Sequence, residues 1–459
     1  LHTQAVADYL KMENPTKLFN RKPHKASGVF PIIRGLIGDM IGPNSPMPIM
    51  DLRNGKDELQ FLKRNDLEEL STRGTASPDH VIRIKGRPLI LKESVWSRGR
   101  EAIKEELDKY AKEYKAMFER QAPQADQPKT MLPTDPKNIW MEGIGLIGLG
   151  ANAKAASIAG DLVVQNARVR AIGEDAGGFR PISEKDLFDC EYWSLEQAKL
   201  GKGAPPKFQG KVVMITGGSG TIGFAIAEAF SKLGAQTILV DKDEIALKES
   251  VTKLGVGHKY FPIDVTHSDA ANQAMLAAIN NFGGLDILIS NAGAAHAGPM
   301  LDISNEELRN AFELNFFSHY SFSTEAAKIL KDQNRGGQIL FNISKQAVNP
   351  GKNFGAYGLP KATTFFLMRQ LALELGSDGI RVNGINADRI RSGLLTDDFI
   401  SSRAKSRGVS ESEYMAGNLL NKEVTAEHVA DAFTALACAE STTGHVMTVD
   451  GGNIEASLR

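Results

Sequence analysis

The sequence predicts an α/β protein whose C-terminal half forms a doubly wound parallel sheet of the Rossmann type. From residue 210 onward, short apolar runs alternate with helical segments, a pattern typical of strands buried on both faces. The first of these runs leads directly into a glycine-rich turn and a helix, as is common in such sheets. The predicted strands cover residues 212–216, 237–240, 259–263, 287–290, 338–342, 381–385 and 445–449.

The composition excludes several classes of protein. The 459 residues correspond to about three domains of ~150 residues, and the formal net charge is −1. Near-neutral charge argues against a dedicated nucleic-acid-binding protein. The chain has no uninterrupted apolar stretch of about 18 residues, so we expect no membrane span. Two cysteines, Cys190 and Cys438, are too few for a disulfide framework, which favours a reducing cytoplasmic compartment.

Composition shifts divide the chain into three parts. We expect a mixed α/β region over residues 1–135, a connecting α/β segment over 136–209 and the Rossmann-type domain over 210–459. The chain opens at Leu1, without a methionine or a signal segment, which indicates a beginning that has been removed. In the first two parts we predict strands at residues 81–84, 88–91 and 139–149 and helices at 93–121 and 151–172.

The glycine-rich turn at residues 217–223 has the composition needed to bind a dinucleotide. Its glycines let the backbone approach a pyrophosphate, and the following helix offers free N–H groups at its N-terminus. Asp241 ends the second strand, where a carboxylate can accept both ribose hydroxyls and repels a 2′-phosphate. The turn contains no basic residue that would favour this phosphate, although Lys242 is adjacent to Asp241. We therefore predict binding of NAD rather than NADP.

A second glycine motif, at Gly143, Gly145 and Gly148, matches the spacing of a dinucleotide-binding turn. However, the helix that follows it is not succeeded by a second strand ending in an acidic residue. We therefore interpret the motif as a glycine-rich packing turn and not as a second cofactor site.

One tyrosine has the surroundings expected of an acid–base catalyst. Of the eight tyrosines, only Tyr357 has a lysine four residues later, Lys361, which on a helix places both side chains on one face. A neighbouring ammonium favours the phenolate, and an oxidised nicotinamide ring can add a second positive charge. Tyr357 can then exchange a proton with an alcohol, while Ser344 holds the same oxygen. Taken alone, the Tyr–Lys pair is also compatible with an exposed helix face.

These residues occur in the order found in the short-chain dehydrogenase/reductase family, which residues 210–455 resemble. The closing residues 449–452 also resemble the last strand of that family. The matching motif residues are Thr216, Gly217, Gly220, Gly223, Asp264, Val265, Asn291, Ala292, Gly293, Asn315, Ser344, Tyr357 and Lys361.

The resemblance implies a role for each matching residue. It assigns catalysis to Ser344, Tyr357 and Lys361, with Asn315 holding a water that connects Lys361 to solvent. It assigns NAD binding to Gly217, Ser219, Gly220, Thr221, Ile222, Gly223, Asp241, Asp264, Val265, Asn291, Ala292, Gly293, Tyr357 and Lys361. The chain departs from the family pattern at Thr221, where glycine is commonest, and at Ala387 and Asp388, which replace a Pro-Gly pair on the nicotinamide side.

Residues 71–80 resemble the late part of the class II aldolase/adducin family, in which the histidine of a Pro-Asp-His sequence binds zinc. His80 is the matching residue, but the upstream His-x-His pair that supplies the other ligands is missing here. A catalytic zinc site generally has three protein ligands. We therefore expect His80 to be a hydrogen-bonded turn residue, with zinc binding only if the missing part of that domain is supplied.

The whole chain resembles the bifunctional class II aldolase/short-chain dehydrogenase proteins of deoxy-sugar breakdown, of the rhamnulose-1-phosphate aldolase/alcohol dehydrogenase type. Residues 186–201 resemble the connector between the two halves. The resemblance implies rhamnose catabolism and NAD-dependent hydride transfer on a small hydroxy-aldehyde or sugar-derived compound such as lactaldehyde. It also implies a homodimer or homotetramer paired through the helices after Asn315 and Tyr357.

Three basic residues and one segment are candidates for binding the substrate. Lys345, Arg389 and Arg391 lie near the predicted catalytic end and could attract a phosphate or a carboxylate, although a solvated basic rim is an equal alternative. Residues 392–421 are expected to form a mobile lid. Two other functions stay open, namely a zinc-dependent lyase and a non-catalytic dinucleotide-binding scaffold, although the intact catalytic residues argue against the scaffold.

Overall fold

Two β-sheets organise the chain in a computed structural model, which describes residues 28–42, 45–195, 204–295, 297–393 and 395–452. A four-stranded sheet lies in the first half and a seven-stranded parallel sheet in the second. The predicted α/β class with a Rossmann-type sheet is therefore confirmed. Within the described ranges, no helix is long and apolar enough to cross a lipid bilayer.

The strands of the first sheet are β1 (Ile49–Arg53), β2 (Leu89–Leu91), β3 (Asn138–Met141) and β4 (Gly145–Gly150). Their order is β1-β4-β3-β2. Strand β4 is antiparallel to both of its neighbours, β1 and β3, whereas β2 is parallel to β3. Strands from both sides of residue 135 therefore share one sheet. The segment expected to be a connector contributes two of its four strands.

The helices of the first half are α1 (Phe30–Ile41), α2 (Lys56–Phe61), α3 (Leu67–Ser71), α4 (Pro78–Ile84), α5 (Glu93–Trp96), α6 (Arg100–Gln121), α7 (Ala153–Asp175) and α8 (Glu184–Glu191). Two sequence predictions are corrected here. Residues 81–84 are not a strand, because Pro78 begins a helix at the position where proline is favoured. The helix predicted over 93–121 is broken at Gly99, whose φ of +84° ends one helix before the next begins.

The second glycine motif forms a hairpin rather than a continuous strand. Gly143, with a φ of +73°, makes the turn between β3 and β4, so the single strand predicted over 139–149 is divided. A Cβ atom at Gly148 would overlap the backbone of α7 at Gly160. The glycines of β4 thus let α7 pack closely on the sheet.

The second sheet contains β5 (Val212–Thr216), β6 (Gln236–Asp241), β7 (Lys259–Pro262), β8 (Ile287–Ser290), β9 (Gly337–Asn342), β10 (Ile380–Ala387) and β11 (Val446–Val449). Its order is β11-β10-β9-β8-β5-β6-β7, and all its pairs are parallel. Every predicted strand of this half is present, and no strand end differs from its predicted position by more than two residues. The winding reverses between β5 and β8, and a crevice at the carboxyl ends of such strands is where nucleotides bind.

The helices of the second half are α9 (Thr221–Lys232), α10 (Glu244–Leu254), α11 (Ala270–Phe282), α12 (Asn305–Phe312), α13 (Ser318–Gln333), α14 (Gly355–Leu375), α15 (Asp397–Arg407), α16 (Glu411–Met415) and α17 (Ala426–Cys438). A π-helical turn, Glu313–Phe317, joins α12 to α13. Helices α15 and α16 share a small apolar cluster that includes Ile400 and Tyr414. The predicted lid is thus a folded two-helix unit, and its mobility stays a prediction.

A buried arginine joins the two halves of the molecule. The Arg34 side chain, on α1, is fully buried and donates to Asp286 Oδ2 at 2.8 Å, to the Gly210 carbonyl at 2.7 Å and to Gln333 Oε1 at 3.0 Å. Burial alone would raise the pKa of Asp286, but the Arg34 guanidinium and the Lys211 ammonium outweigh it and hold this pKa below its usual range. Arg34 of the first half therefore contacts the residues that precede the amino-terminal ends of β5 and β8.

Candidate active site

A cavity of about 790 Å³ lies at the carboxyl ends of the parallel strands. It extends from the glycine-rich turn after β5, past the ends of β6, β8 and β9, to helices α15 and α16. Of the predicted site residues, those that line it are Gly217, Gly220, Thr221, Ile222, Gly223, Asp241, Asp264, Val265, Asn291, Ala292, Gly293, Ser344, Tyr357 and Lys361. Ser219 and Asn315 lie beside the cavity rather than on its wall.

The glycine-rich turn is so tight that two of its positions have no room for a side chain or for the backbone conformation of other residues. Gly217 has a φ of +65°, and a Cβ atom at Gly223 would overlap the carbonyl oxygen of Gly217. Helix α9 begins at Thr221, so its first N–H groups and the positive end of its dipole face the cavity. Threonine in place of the family's usual glycine is accommodated as the first residue of this helix.

Asp241 is held beside the turn by backbone donors. Its Oδ1 accepts from the Lys242 N–H at 2.8 Å, and its Oδ2 accepts from the Ser219 N–H at 3.3 Å. The carboxylate lines the cavity at the end of β6. Ser219 thus contributes its backbone to the orientation of Asp241, while its side chain is not part of the cavity wall.

The next strand end supplies Asp264 and Val265. Asp264 Oδ1 accepts from the Thr266 N–H at 3.0 Å and from Thr266 Oγ1 at 2.7 Å, and these hydrogen bonds lower the pKa of Asp264. Val265 is buried, with part of its surface on the cavity. Both residues lie on the side of the cavity that holds Asp241.

Asn291 connects three neighbouring strands at the centre of the sheet. Its backbone N–H donates to Thr216 Oγ1 at 2.9 Å, its Nδ2 donates to the Thr216 carbonyl at 3.0 Å, and its Oδ1 accepts from Asn342 Nδ2 at 2.9 Å. A Cβ atom at Gly293 would lie 2.8 Å from Asn315 Oδ1, so this position also requires a small residue. The segment from Asn291 to Gly293 therefore fixes the floor of the cavity.

Ser344, Tyr357 and Lys361 come together on one wall. Tyr357 and Lys361 lie on one face of α14, with the Lys361 Nζ 5.9 Å from the centre of the tyrosine ring. Burial raises the pKa of Tyr357, and a hydrogen bond with Ser344 partly opposes this rise. Ser344 follows β9 with a φ of +131°, a conformation that serine rarely adopts and that is found at functional sites. The predicted grouping is thus present, but the protein alone does not favour the phenolate.

Lys361 is almost completely enclosed. Its Nζ donates to the Asn342 carbonyl at 3.0 Å and lies 3.4 Å from His319 Nε2. Burial lowers the pKa of Lys361 to about 7. The side chain therefore changes its charge near neutral pH, close to the tyrosine that it accompanies.

Asn315 is packed behind this wall, in the π-helical turn. Its Nδ2 donates to the carbonyls of Ala294, at 2.9 Å, and Ala311, at 3.1 Å. The backbone carbonyl of Asn315 accepts from Thr364 Oγ1 at 2.7 Å. The water-holding role that the family resemblance implies for Asn315 stays a prediction.

His319 was not found from the sequence. It is buried on α13, and its Nδ1 lies 2.6 Å from Ser290 Oγ, while its Nε2 faces Lys361. Burial, together with the Lys361 charge, holds the pKa of His319 well below its usual range, so the ring is neutral. The only signal available in the sequence was a histidine four residues after Asn315, on the same helical face.

The three basic residues proposed for substrate binding have different surroundings. Lys345 Nζ lies 2.6 Å from Asp388 Oδ2, and Arg389 Nε lies 3.6 Å from the same carboxylate oxygen. Arg391 pairs with Asp397 and Glu423 at the surface and does not line the cavity. The expectation is therefore corrected for Arg391, because local carboxylates hold it outside the site.

His80 lies on α4, far along the chain from this cavity. It is buried, and its Nδ1 lies 2.7 Å from Ser77 Oγ. Nowhere in the described ranges do three or more His, Cys, Asp or Glu side chains come together as a possible metal site. The described residues around His80 thus do not form the ligand set of a catalytic zinc ion.

Comparison with known families covers both halves of the chain. The family model described as "Enoyl-(Acyl carrier protein) reductase" matches residues 218–453, and that described as "Aldolase class II, second domain" matches residues 24–200. The chain is 31% identical over 445 residues to the uncharacterized oxidoreductase YuxG of Bacillus subtilis (strain 168). This match covers 93% of the chain but 63% of that relative, so the chain spans less than two thirds of the relative's length.

The second half has further relatives. Glucose 1-dehydrogenase of Gluconobacter oxydans (strain 621H) is 30% identical over 252 residues, covering 54% of this chain and 92% of that protein. The solved structure of L-sorbose reductase from Gluconobacter frateurii, complexed with NADPH and L-sorbose, aligns with a TM-score of 0.50 and 28% identity. It covers 54% of this chain and 97% of that one.

Proposed function

Since the chain belongs to the short-chain dehydrogenase/reductase family, with an aldolase class II second domain before the dehydrogenase domain, we propose that it is an NAD-dependent oxidoreductase of the alcohol dehydrogenase type. The proposed reaction interconverts a small alcohol and its carbonyl compound. The observation that carries the proposal is the meeting of Ser344, Tyr357 and Lys361 on one cavity wall, beside the glycine-rich turn.

The cavity fits a nicotinamide dinucleotide. The tight turn at Gly217 and Gly223 leaves room for a pyrophosphate at the start of α9, and Asp241 is placed for the adenosine ribose. When bound, this cofactor supplies the site that accepts or donates hydride. The cavity continues beyond Tyr357 to α15, which leaves space for a substrate.

The reacting oxygen is handled by the protein's own side chains. In carbonyl reduction the Tyr357 phenol donates a proton to this oxygen, and in alcohol oxidation the phenolate accepts one. Ser344 hydrogen-bonds the same oxygen and fixes its distance from Tyr357. The Lys361 ammonium stabilises the phenolate and would hold the nicotinamide ribose of a bound cofactor. Because burial raises the pKa of Tyr357, the positive charge of a bound oxidised cofactor would favour the phenolate that alcohol oxidation requires.

We also propose NAD as the preferred cofactor and a small hydroxy-aldehyde or sugar-derived compound as the substrate. The Asp241 carboxylate supports NAD, because it would repel a 2′-phosphate. The neighbouring aldolase-type domain supports a product of aldol cleavage as the substrate, as in rhamnose catabolism. The name of the sorbose reductase neighbour, which includes NADPH and L-sorbose, makes NADP and ketoses necessary comparisons.

The proposal includes a homo-oligomer in the cytoplasm. Helices α13 and α14 and the turn before α13 expose large apolar side chains, among them Phe317, Tyr320, Phe366 and Leu373. These supply the apolar face that pairing through these helices requires. Cys438 is a free thiol, as is usual in a reducing compartment. A Phe366→Glu variant that stays oligomeric in light scattering would contradict this pairing.

The activity is tested by an NAD-reduction screen over small 2-hydroxy aldehydes, alcohols and ketose phosphates, with a Tyr357→Phe variant. We expect Tyr357→Phe to lose about 10²- to 10⁴-fold in kcat, because it removes the acid–base group, while NADH binding is kept. Tyr320→Phe, which alters an exposed tyrosine on α13, is the matched control. Unchanged turnover in Tyr357→Phe would overturn the catalytic assignment.

Zinc-dependent aldol cleavage is the alternative function, favoured by the match to an aldolase class II second domain. The described residues supply no ligand set around His80. Retro-aldol turnover by this chain alone, with stoichiometric zinc that is lost in His80→Ala, would establish it.

A further inference from the structure

We propose that the substrate carries a phosphate or carboxylate group, and that Arg403 and Arg407 bind it. This inference rests on the proposed function, because it names the substrate class of the same cavity. Both arginines line the cavity wall contributed by α15, at the end away from the glycine-rich turn. They lie four residues apart, so they share one face of the helix.

The Arg403 guanidinium lies near two aromatic rings and keeps N–H groups that can hydrogen-bond. Its Cζ lies 5.6 Å from the centre of the Phe354 ring and 6.0 Å from that of Phe399. Aromatic rings attract a guanidinium without using its N–H groups, which remain able to donate to an anion. The Nε of Arg403 is buried and has no hydrogen-bond partner within the described structure. A donor that has lost water without gaining an acceptor is best satisfied by a ligand.

Arg407 has a similar arrangement, with its Cζ 5.2 Å from the centre of the Tyr414 ring. Throughout the part of the chain that the structure describes, neither Arg403 nor Arg407 forms an ion pair. The other arginines of this region contrast with them, because Arg389 donates to the Tyr414 carbonyl and Arg391 is paired with Asp397 and Glu423. The two cavity arginines are thus the ones that are available to an anion.

The charge around the substrate end favours an anion as well. Apart from Lys361, the cationic side chains that line this end are Lys345, Lys352, Arg389, Arg403 and Arg407, and the carboxylate there is Asp388. The formal charge of these groups is +4. A cofactor pyrophosphate would lie at the start of α9, at the opposite end, so it does not neutralise them. A cleft lined by one sign of charge concentrates ligands of the opposite sign.

Asp388 reduces the contribution of two cations, Lys345 and Arg389, to the binding of an anion. It lies close to both Lys345 and Arg389, so one carboxylate holds these two side chains in place. Planar guanidinium groups such as those of Arg403 and Arg407 match phosphate and carboxylate oxygens in pairs of hydrogen bonds. The apolar cluster of Ile400, Ala404, Tyr414 and Met415 anchors α15 beneath them. The result is a pair of donors on one helix, at a distance from the reacting group.

The test measures anion binding directly. Inorganic phosphate, and separately acetate, is titrated into the enzyme saturated with NADH, and binding is followed by calorimetry and by the fluorescence of the bound NADH. We expect phosphate or acetate to bind, and Arg403→Gln and Arg407→Gln each to weaken binding about tenfold. Arg391→Gln is the matched control, because Arg391 lies on the same side but outside the cavity, and it should leave binding unchanged. Absence of binding for both anions, or an equal loss in Arg391→Gln, would overturn the proposal.

Turnover of matched carbonyl compounds distinguishes the two anions. Dihydroxyacetone is compared with dihydroxyacetone phosphate and with hydroxypyruvate, and we expect kcat/KM to be at least tenfold higher for one of the anionic compounds. This preference should fall about tenfold in Arg403→Gln and Arg407→Gln and persist in Arg391→Gln. Arg407 is exposed, so Arg407→Gln does not disturb the packing, and Arg403→Lys keeps the charge should Arg403→Gln fold poorly.

Failure of this proposal differs from failure of the proposed function. If the chain is not an oxidoreductase, no carbonyl compound is turned over and NADH is not consumed. If the chain is an oxidoreductase without an anion site, dihydroxyacetone is turned over at least as well as the anionic compounds, and phosphate does not bind to the NADH complex.

Discussion

The Nε2 atom of His319 lies 3.4 Å from the Nζ atom of Lys361, and both side chains are almost fully buried. A neutral imidazole that accepts at Nε2 carries its proton on Nδ1, and this proton faces Ser290 Oγ at 2.6 Å. The Asn342 carbonyl accepts from the Lys361 ammonium, and in this tautomer the imidazole Nε2 is placed to accept from it as well. We therefore expect His319 to act on the proposed reaction through Lys361, as a positioning residue.

Replacing His319 should change the pH at which Lys361 loses its charge. His319→Leu removes one acceptor of the ammonium, so the pKa of Lys361 should fall further below about 7. Because the charged lysine is the active form, the alkaline limb of kcat for carbonyl reduction should move to lower pH. We expect about tenfold lower kcat at pH 7.5.

His319→Gln is the complementary variant, because it should keep a hydrogen-bond acceptor for Lys361. Its side-chain oxygen can replace Nε2 as an acceptor, so the pH profile should stay near that of the unmodified protein. His258→Gln, which alters a half-buried histidine near Ser231 and Thr237, is the control for effects of losing an imidazole elsewhere in the sheet domain. Identical pH profiles for His319→Leu and the unmodified protein would remove His319 from the mechanism.

The glycine-rich turn should tolerate an added methyl group at one glycine and not at another. A Cβ atom at Gly223 would overlap the Gly217 carbonyl oxygen, whereas one at Gly220 would lie 3.4 Å from that atom, an ordinary contact. Gly223→Ala should therefore force the turn apart, lower the melting temperature and weaken NADH binding by about tenfold or more. Gly220→Ala should leave the melting temperature of the free protein unchanged. Equal melting temperatures for the two variants would contradict the geometry of this turn.

Asp241 should determine the choice of cofactor. Removing its charge by Asp241→Ser takes away the acceptor for the ribose hydroxyls and the repulsion of a 2′-phosphate, while the neighbouring Lys242 is kept. We expect the ratio of kcat/KM for NAD to that for NADP to fall by about tenfold or more. Lys242→Ser is the matched control, and it should shift the ratio slightly in the opposite direction. Preference for NADP in the unmodified protein would refute this role of the carboxylate.

The sequence predicted the parallel sheet well because its strands are continuous apolar runs, which identify themselves without long-range information. The same kind of signal gave a wrong prediction at residues 81–84, because a short apolar run is also compatible with a buried helix. Pro78, which favours the start of a helix, was the signal that distinguishes the two. The candidate catalytic residues were chosen from their order and spacing, and the structure brings them to one cavity wall. His319 could not be predicted from order and spacing, because its role depends on a contact with a residue 42 positions away. The pairing of Lys345 and Arg389 with Asp388 depends on packing in the same way.

The ion pair of Arg34 and Asp286 should dominate the stability of the junction between the two halves. Arg34→Met leaves the buried carboxylate with Lys211 as its remaining cation, 3.8 Å away and partly exposed. Losing one partner of a buried pair costs about 3–5 kcal/mol, so the midpoint of thermal unfolding should fall by several degrees at pH 7. Arg335→Met, which alters an arginine that pairs with Asp39 at the same junction but nearer the surface, should cost much less.

The pH dependence of the free energy of unfolding tests the role of Arg34 independently. In the unmodified protein the pKa of Asp286 is held low, so its contribution to stability is present at neutral pH and is lost as the pH falls through that low value. In Arg34→Met, burial without the guanidinium should raise this pKa above its unfolded value, so stability should increase as the pH falls from 7 to 5. Arg34→Met combined with Asp286→Asn should lose this increase, because no titrating group is left. Parallel stability curves for Arg34→Met and the unmodified protein between pH 5 and 7 would show that Asp286 does not depend on Arg34 for its charge.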